Sequence, residues 1–352
     1  MTPPDRAGRT NRAGRVGRTN RADWATRSHR TGQVSAPPPD PAPGPGHHAT
    51  TTRTGAALVL GCYVLWGFFP LYFRLLSAAG SLEVIGNRVV WTLATCLVLT
   101  AVRHRWRVLW SVASTPGLLG TLAVSGALVS LNWLVYVYGV TTGRTADAAL
   151  GYFINPLATV ALAALVLGER LRRAQVVAVG LAAAGVVVLV VLQGSLPWIS
   201  LALALSFSLY GLVKKQVGTR VDALTGVAVE TAAMSPLALA YLGWLAAHES
   251  LVVQASPLPL PLVVLLVAAG PVTALPLLLF AAGTRQVPLS LVGLSQYLTP
   301  ITQFLLAWAV FREDISPARW AAMALVWAAV AVLVTDTVRQ VARRPRPHLT
   351  NP

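Results

Sequence analysis

The sequence predicts an all-α polytopic membrane protein with ten transmembrane helices in two inverted five-helix repeats. Three observations predict it. Apolar runs of spanning length come at regular spacing, a motif recurs at a fixed offset of 144 residues, and basic residues cluster beyond alternate runs. Of the 352 residues, 55% are hydrophobic and only 11% are charged, and mean hydropathy is +0.61. A soluble domain carries about 25% charged residues, so most of this chain is built for an apolar surround. Apolar residues fill both faces of most segments, which suits helices with lipid on one side and protein on the other.

Residues 1–52 stand apart. Arginine recurs at every third position from Arg6 to Arg21, and Pro37 to Gly46 is almost wholly Pro, Ala and Gly. Such a segment has no apolar periodicity to bury and is expected to be a disordered, basic, Pro-rich cytoplasmic tail. The first apolar run begins only near Gly55, which argues against a cleavable signal peptide. From there the spans are placed at 55–76, 83–102, 117–139, 146–168, 174–193, 197–213, 223–247, 259–282, 288–310 and 317–338. Each is near the roughly 20 residues that a helix needs to cross a bilayer. The organisation is then a first repeat at 53–196, a second at 197–340 and a cytoplasmic C-terminal tail at 341–352.

The net charge of +16 raises the question of nucleic acid, but its placement answers it. Arg103, Arg105 and Arg107 follow the second span, Arg170, Arg172 and Arg173 the fourth, and Lys214, Lys215 and Arg220 the sixth. This is the signature of membrane topology, with both termini cytoplasmic, and no nucleic-acid partner is expected.

The repeat carries more information than any single residue. Tyr152 to Pro156 and on to Glu169 matches Gln296 to Pro300 and on to Glu313, and Trp66-Gly67 matches Tyr210-Gly211. Five spans per repeat is an odd number, so the two halves enter the membrane in opposite senses. Inverted repeats are a mark of secondary transporters, where the halves enclose a central path.

Few charges lie inside the spans, and each is costly there. Arg88 reads either as a cationic wall that meets a carboxylate or an anionic substrate, or as a side chain reaching back to the outer interface. Glu230 reads as a titrating group for proton coupling, as a partner of Arg88, or as a helix-packing hydrogen bonder. Pro156 and Pro300 are expected to break long helices and free a carbonyl four residues earlier. A break of that kind belongs against protein or cavity water. Trp66, Asn132, Trp133, Tyr152, Asn155, Gln296 and Tyr297 then read as polar and aromatic lining of a substrate cavity. Glu169 and Glu313 read as loop anchors or partners of a nearby Arg more than as substrate ligands. The small residues around Gly180 to Gly185, and Ala321 to Ala329, read as close helix packing outside the path.

No metal spacing, phosphate-cradling loop or nucleophile arrangement is present, so neither an enzyme nor a cofactor is expected. Cys62 and Cys96 fall in apolar runs and read as small hydrophobes. The expected partners are a small-molecule substrate and membrane lipid, with a homodimer left open. A passive channel and a membrane interaction protein that moves nothing are the competing readings.

Several segments carry a family resemblance. They are Leu150 to Leu157 with Leu167-Gly168-Glu169-Arg170, Asn132-Trp133, Tyr63 to Gly67, Asn87 to Trp91, Phe207 to Leu212 and Gln296 to Pro300. Over about residues 54–340 the chain resembles the RarD group of EamA-type proteins in the drug/metabolite transporter superfamily. The resemblance implies ten helices in two inverted halves, with helices one to four and six to nine around a cavity and helices five and ten peripheral. It implies export or exchange of small metabolites or drugs across the bacterial cytoplasmic membrane. Arg312-Glu313-Asp314 departs from the Gly-Glu-Arg of the first half, which weakens a mirrored role for that corner.

Overall fold

The structure is a computed structural model, and it describes residues 53–167, 170–217, 220–248 and 250–343. The expected N-terminal tail, Glu169 and most of the expected C-terminal tail lie outside the described residues. Among those described there is no strand, and the helices follow the apolar runs. They are α1 (Arg53–Leu75), α2 (Ser81–Val102), α3 (Trp106–Ala113), α4 (Pro116–Thr141), α5 (Thr145–Leu167) and α6 (Arg173–Gln193). There follow α7 (Trp198–Val217), α8 (Ala223–Ala247), α9 (Leu260–Gly283), α10 (Leu289–Ser295), α11 (Leu298–Leu305) and α12 (Pro317–Arg343).

Eight of these are long and apolar enough to cross a membrane: α1, α2, α4, α5, α6, α8, α9 and α12. The other two spans placed from sequence take different forms. Of the expected span 197–213, residues 198–213 lie in α7, a helix of 20 residues whose last turn carries Lys214 and Lys215. Residues 288–310 do not form one helix. Here α10 ends at Ser295, α11 starts at Leu298, and a π-helical turn at Leu306–Val310 closes the run. The interruption lies at Gln296, four residues before Pro300, where the proline ring meets the carbonyl of the preceding turn. At the matched position α5 runs unbroken through Pro156. A proline removes one hydrogen bond but does not by itself end a helix that its neighbours hold on both sides. The short helix α3 and the extension of α12 to Arg343, past the expected boundary at 340, were also not anticipated.

Helix ends follow local chemistry. Pro116 occupies the first turn of α4, where its missing N–H costs nothing. Gly194 ends α6 in the left-handed conformation (φ +67°) that suits a residue without a side chain. Asp222 caps α8, accepting from the Thr225 amide at 3.3 Å and the Thr225 hydroxyl at 2.8 Å. Arg105 pairs with the same carboxylate at 3.2 Å.

Packing repeats at the offset seen in the sequence. Helix α2 lies against α9 as α8 lies against α4, α4 against α7 as α9 against α1, and α5 against α7 as α11 against α1. Two equivalent pairs, α2 with α8 and α6 with α12, touch each other directly. The α6–α12 contact is built from Ala178, Ala182 and Gly185 meeting Ala322, Val326 and Ala329, so small residues let two backbones approach. Glycines make two further approaches, again at matched positions. A Cβ on Gly126 would stand 2.6 Å from the carbonyl oxygen of Glu230, and one on Gly270 would stand 2.2 Å from that of Trp91. Only hydrogen fits there, which is why α4 reaches α8 and α9 reaches α2.

Two expectations follow. Gly270→Ala should lower stability in detergent by about 1–3 kcal/mol through overpacking, whereas Gly180→Ala should be neutral or raise it by up to about 1 kcal/mol. Gly180 has nothing within reach of an added methyl, so equal effects on the two melting curves would refute the account. Burial raises the Asp222 carboxyl, but the Thr225 hydrogen bonds and the Arg105 charge outweigh it and hold the group below its ordinary range. Its contribution is therefore present above the ordinary carboxylate pKa of about 4 and lost as pH falls through the lower folded value. Asp222→Asn should flatten the acid limb of a stability-versus-pH curve, and an unchanged limb would remove this account of the cap.

Candidate functional site

Helix α2 presents a buried stripe at helical spacing, with Ile85, Arg88, Thr92, Cys96 and Thr100 three or four residues apart. Arg88 therefore faces the bundle interior and is only 3% exposed, which excludes the reading in which it reaches the outer interface. Its guanidinium lies over the ring of Trp133 at 4.1 Å and of Phe73 at 5.0 Å. Nε donates to Thr273 Oγ1 of α9 at 3.0 Å, and Nη1 has no partner. The tyrosines Tyr72, Tyr136 and Tyr152 lie within electrostatic range of the charge.

Hydrogen bonds extend this centre to α5, α7 and α11. Tyr152 donates to Asn132 Oδ1 at 3.1 Å, and Asn132 Nδ2 donates to the Leu203 carbonyl and to Ser206 Oγ of α7 at 3.1 and 3.0 Å. Gln303 Nε2 donates to the Trp66 carbonyl at 3.1 Å and to the Tyr136 hydroxyl at 3.3 Å, leaving Gln303 Oε1 buried without a partner. Of the side chains singled out from sequence, Arg88, Asn132, Trp133 and Tyr152 are thus brought together, and Trp66 joins through its backbone. Asn155 forms a separate set with Ser208, which donates to its Oδ1 at 2.9 Å. Gln296 occupies the turn between α10 and α11, and Tyr297 packs against the apolar cluster that includes Phe153 and Phe304.

The charges divide between the two ends of the bundle. Where α4 packs against both α7 and α8, Glu230 (2% exposed) accepts from Lys214 Nζ and from Ser125 Oγ, each at 2.5 Å. Glu230 is therefore the partner of Lys214 and not of Arg88. The two residues share a bundle but face different neighbours. Around the opposite turn, Asp147 holds Arg144 at 2.8 Å and Arg319 at 3.1 Å. Glu313 accepts from the Thr145 and Ala146 amides at 2.8 and 2.9 Å, so it caps α5 from the other half of the chain. Arg312, at φ +52°, makes the turn that delivers it.

Sequence reasoning missed Lys214, Ser125, Thr273 and Gln303 as site residues. Lys214 read as a topology charge because it ends a span. The only signal for Thr273 and Gln303 was a polar residue inside an apolar run, which many packing threonines and glutamines share.

A model of the EamA-like transporter family matches residues 53–191 and again residues 196–335. The chain belongs to that family. Within it the chain falls in the RarD group. It is 44% identical over 298 residues to "Protein RarD" of Streptomyces exfoliatus, covering 84% of this chain and 93% of that one. It is 39% identical over 290 residues to "Protein RarD" of Escherichia coli K12, covering 82% and 97%. It is 40% identical to an "Uncharacterized transporter" of Vibrio cholerae over 84% of this chain and 97% of the relative. A solved crystal structure at 22% identity shares the fold, with a TM-score of 0.51 over 81% of this chain and 99% of that one. The two matched segments of this EamA-family chain are the two halves whose helix contacts repeat. It is a multi-pass membrane transporter.

Lys214 and Glu230 offer a direct check on the geometry. Lys214→Met and Glu230→Gln should each lower stability by about 1–3 kcal/mol, less than a fully buried pair because the lysine side chain is 27% exposed. In a double-mutant cycle the combined loss should fall short of the sum by about 1 kcal/mol or more. Strict additivity would mean that the pair does not form.

Proposed function

We propose that this chain is a secondary transporter that moves a small metabolite or drug across the cytoplasmic membrane by alternating access. In this reading ten helices form two inverted five-helix repeats with both termini cytoplasmic. The sixth is α7, and the ninth is the broken run from α10 through α11. An odd number of spans in each duplicated unit forces the second copy to enter the membrane upside down. Two such copies can exchange conformations, so that a path open to one face becomes a path open to the other.

The observation that carries the reading is the layer of buried polar side chains around Arg88, with ion pairs towards either end of the bundle. Polar groups buried at mid-helix are costly, and they persist where they serve a path or a binding site. Arg88 supplies positive charge to a solute. Asn132, Trp133 and Tyr152 position it beside Arg88, and Trp66, Asn155, Gln296 and Tyr297 line the path further along, with Pro156 and Pro300 on the two helices that flank it. Glu230, held by Lys214 and Ser125, takes the coupling role. Loss of its charge would release Lys214 and loosen the hold of α7 and α8 on α4.

Purified protein in liposomes, screened with pooled metabolites under an imposed pH gradient, tests this. Saturable flux that drives accumulation against a gradient is expected, and it would exclude a passive channel. Glu230→Gln should cut gradient-driven flux by about tenfold or more, the size expected when one charge-assisted contact is lost. Flux that keeps its pH sensitivity in that variant would remove Glu230 from the coupling role. Absence of flux from folded, oriented protein across the pool would favour an interaction protein.

A further inference from the structure

The buried guanidinium of Arg88 has no carboxylate of its own. Charges removed from water are normally paired, because the loss of hydration is not otherwise recovered. None of the described ion pairs includes Arg88, and the carboxylates of the surrounding helices are committed elsewhere. Glu83 accepts from the Val252 amide at 3.0 Å, Glu230 serves Lys214, Asp147 serves Arg144 and Arg319, and Glu313 caps α5. What Arg88 has instead are ring faces on two helices and a single hydroxyl, with Nη1 left free. Ring faces stabilise a cation but accept no N–H bond in the plane of the guanidinium. The edge carrying Nη1 is therefore a donor without an acceptor.

A second orphan lies in the same network with the opposite polarity. Gln303 Oε1 is a buried acceptor without a donor, on the residue whose amide nitrogen reaches the Tyr136 hydroxyl. The Tyr136 ring stands 5.9 Å from Phe73 and 5.7 Å from Tyr152. The free donor and the free acceptor are thus linked through contiguous aromatic rings, which favour a flat apolar body.

Resting on the transporter reading above, we propose that Arg88 is the recognition site for a small organic carboxylate with a planar, aromatic body. The carboxylate meets Arg88 Nη1, the body lies along Trp133, Phe73 and Tyr136, and a hydrogen-bond donor on that body is welcome at Gln303 Oε1. The charge supplied by the ligand is the one that the fold omits.

Purified protein in nanodiscs, titrated with benzoate, 4-aminobenzoate, benzamide, benzylamine and acetate, tests the assignment through thermal shift and tryptophan fluorescence. Benzoate should bind at least about tenfold more tightly than benzamide, because only the anion forms the charge-assisted bond. Benzylamine and acetate should be weaker still, and 4-aminobenzoate should match or exceed benzoate. Arg88→Gln should erase the preference of benzoate over benzamide. Arg88→Lys should keep part of it, and Thr273→Ala, which frees Nε without removing the charge, should alter affinity but retain the preference. Equal binding of benzoate and benzamide, or no response to any probe from folded wild type, overturns the proposal.

Liposome flux separates this from the reading it rests on. Benzoate that binds through Arg88 but is not moved leaves the anion site standing and sinks transport. Neutral or cationic solutes that are moved equally well by Arg88→Gln sink the anion site and leave transport standing.

Discussion

A cation buried among aromatic rings organises the centre of this molecule. Arg88 cannot return to water from its position on the inner stripe of α2, so the surrounding helices must supply what water would. Trp133 on α4 and Phe73 on α1 cover the guanidinium faces, and Thr273 on α9 accepts from its edge. Three helices are thereby tied to a fourth through one side chain. The hydrogen-bond chains through Tyr152, Asn132 and Gln303 then recruit α5, α7 and α11. Because an interior with low dielectric strengthens such contacts and also penalises leaving them unmade, small rearrangements among these helices are felt at Arg88.

The close glycine contacts explain how helices of this length come near enough to share that centre. In lipid there is little hydrophobic drive between apolar helices, so shape and backbone approach decide which ones pack. Gly126 and Gly270 open matched contacts between the halves, while α6 and α12 meet through alanines away from the polar layer. The architecture thus separates two jobs, one set of helices surrounding Arg88 and another pair joining the halves at their edge.

Much of the fold was legible in the sequence, because hydropathy and duplication are local or one-dimensional signals. Apolar runs of spanning length, the offset between Pro156 and Pro300, and the grouping of small residues on α6 and α12 could all be read before any contact was known. Four members of the candidate site could also be named, Arg88 and Asn132 because a charge or an amide inside an apolar run announces itself by its cost, and Trp133 and Tyr152 as aromatic lining beside them. Their pairing could not. Glu230 and Arg88 looked like possible partners because both are buried and opposite in sign, yet Lys214, read only as a topology charge, is the residue that reaches the carboxylate.

The sequence by itself determined the all-helical membrane character, the two-copy organisation and the candidates for a polar interior. Each follows from composition or from spacing along the chain. Only the tertiary structure decided what those candidates touch. It left α5 continuous through Pro156 but interrupted the chain before Pro300, and it carried Glu313 across to cap α5 from the other half. It also left Arg88 facing rings instead of a carboxylate. The same residue types can do any of these things, and the choice rests with neighbours on other helices, whose distance is set by how helices pack and not by their order in the chain.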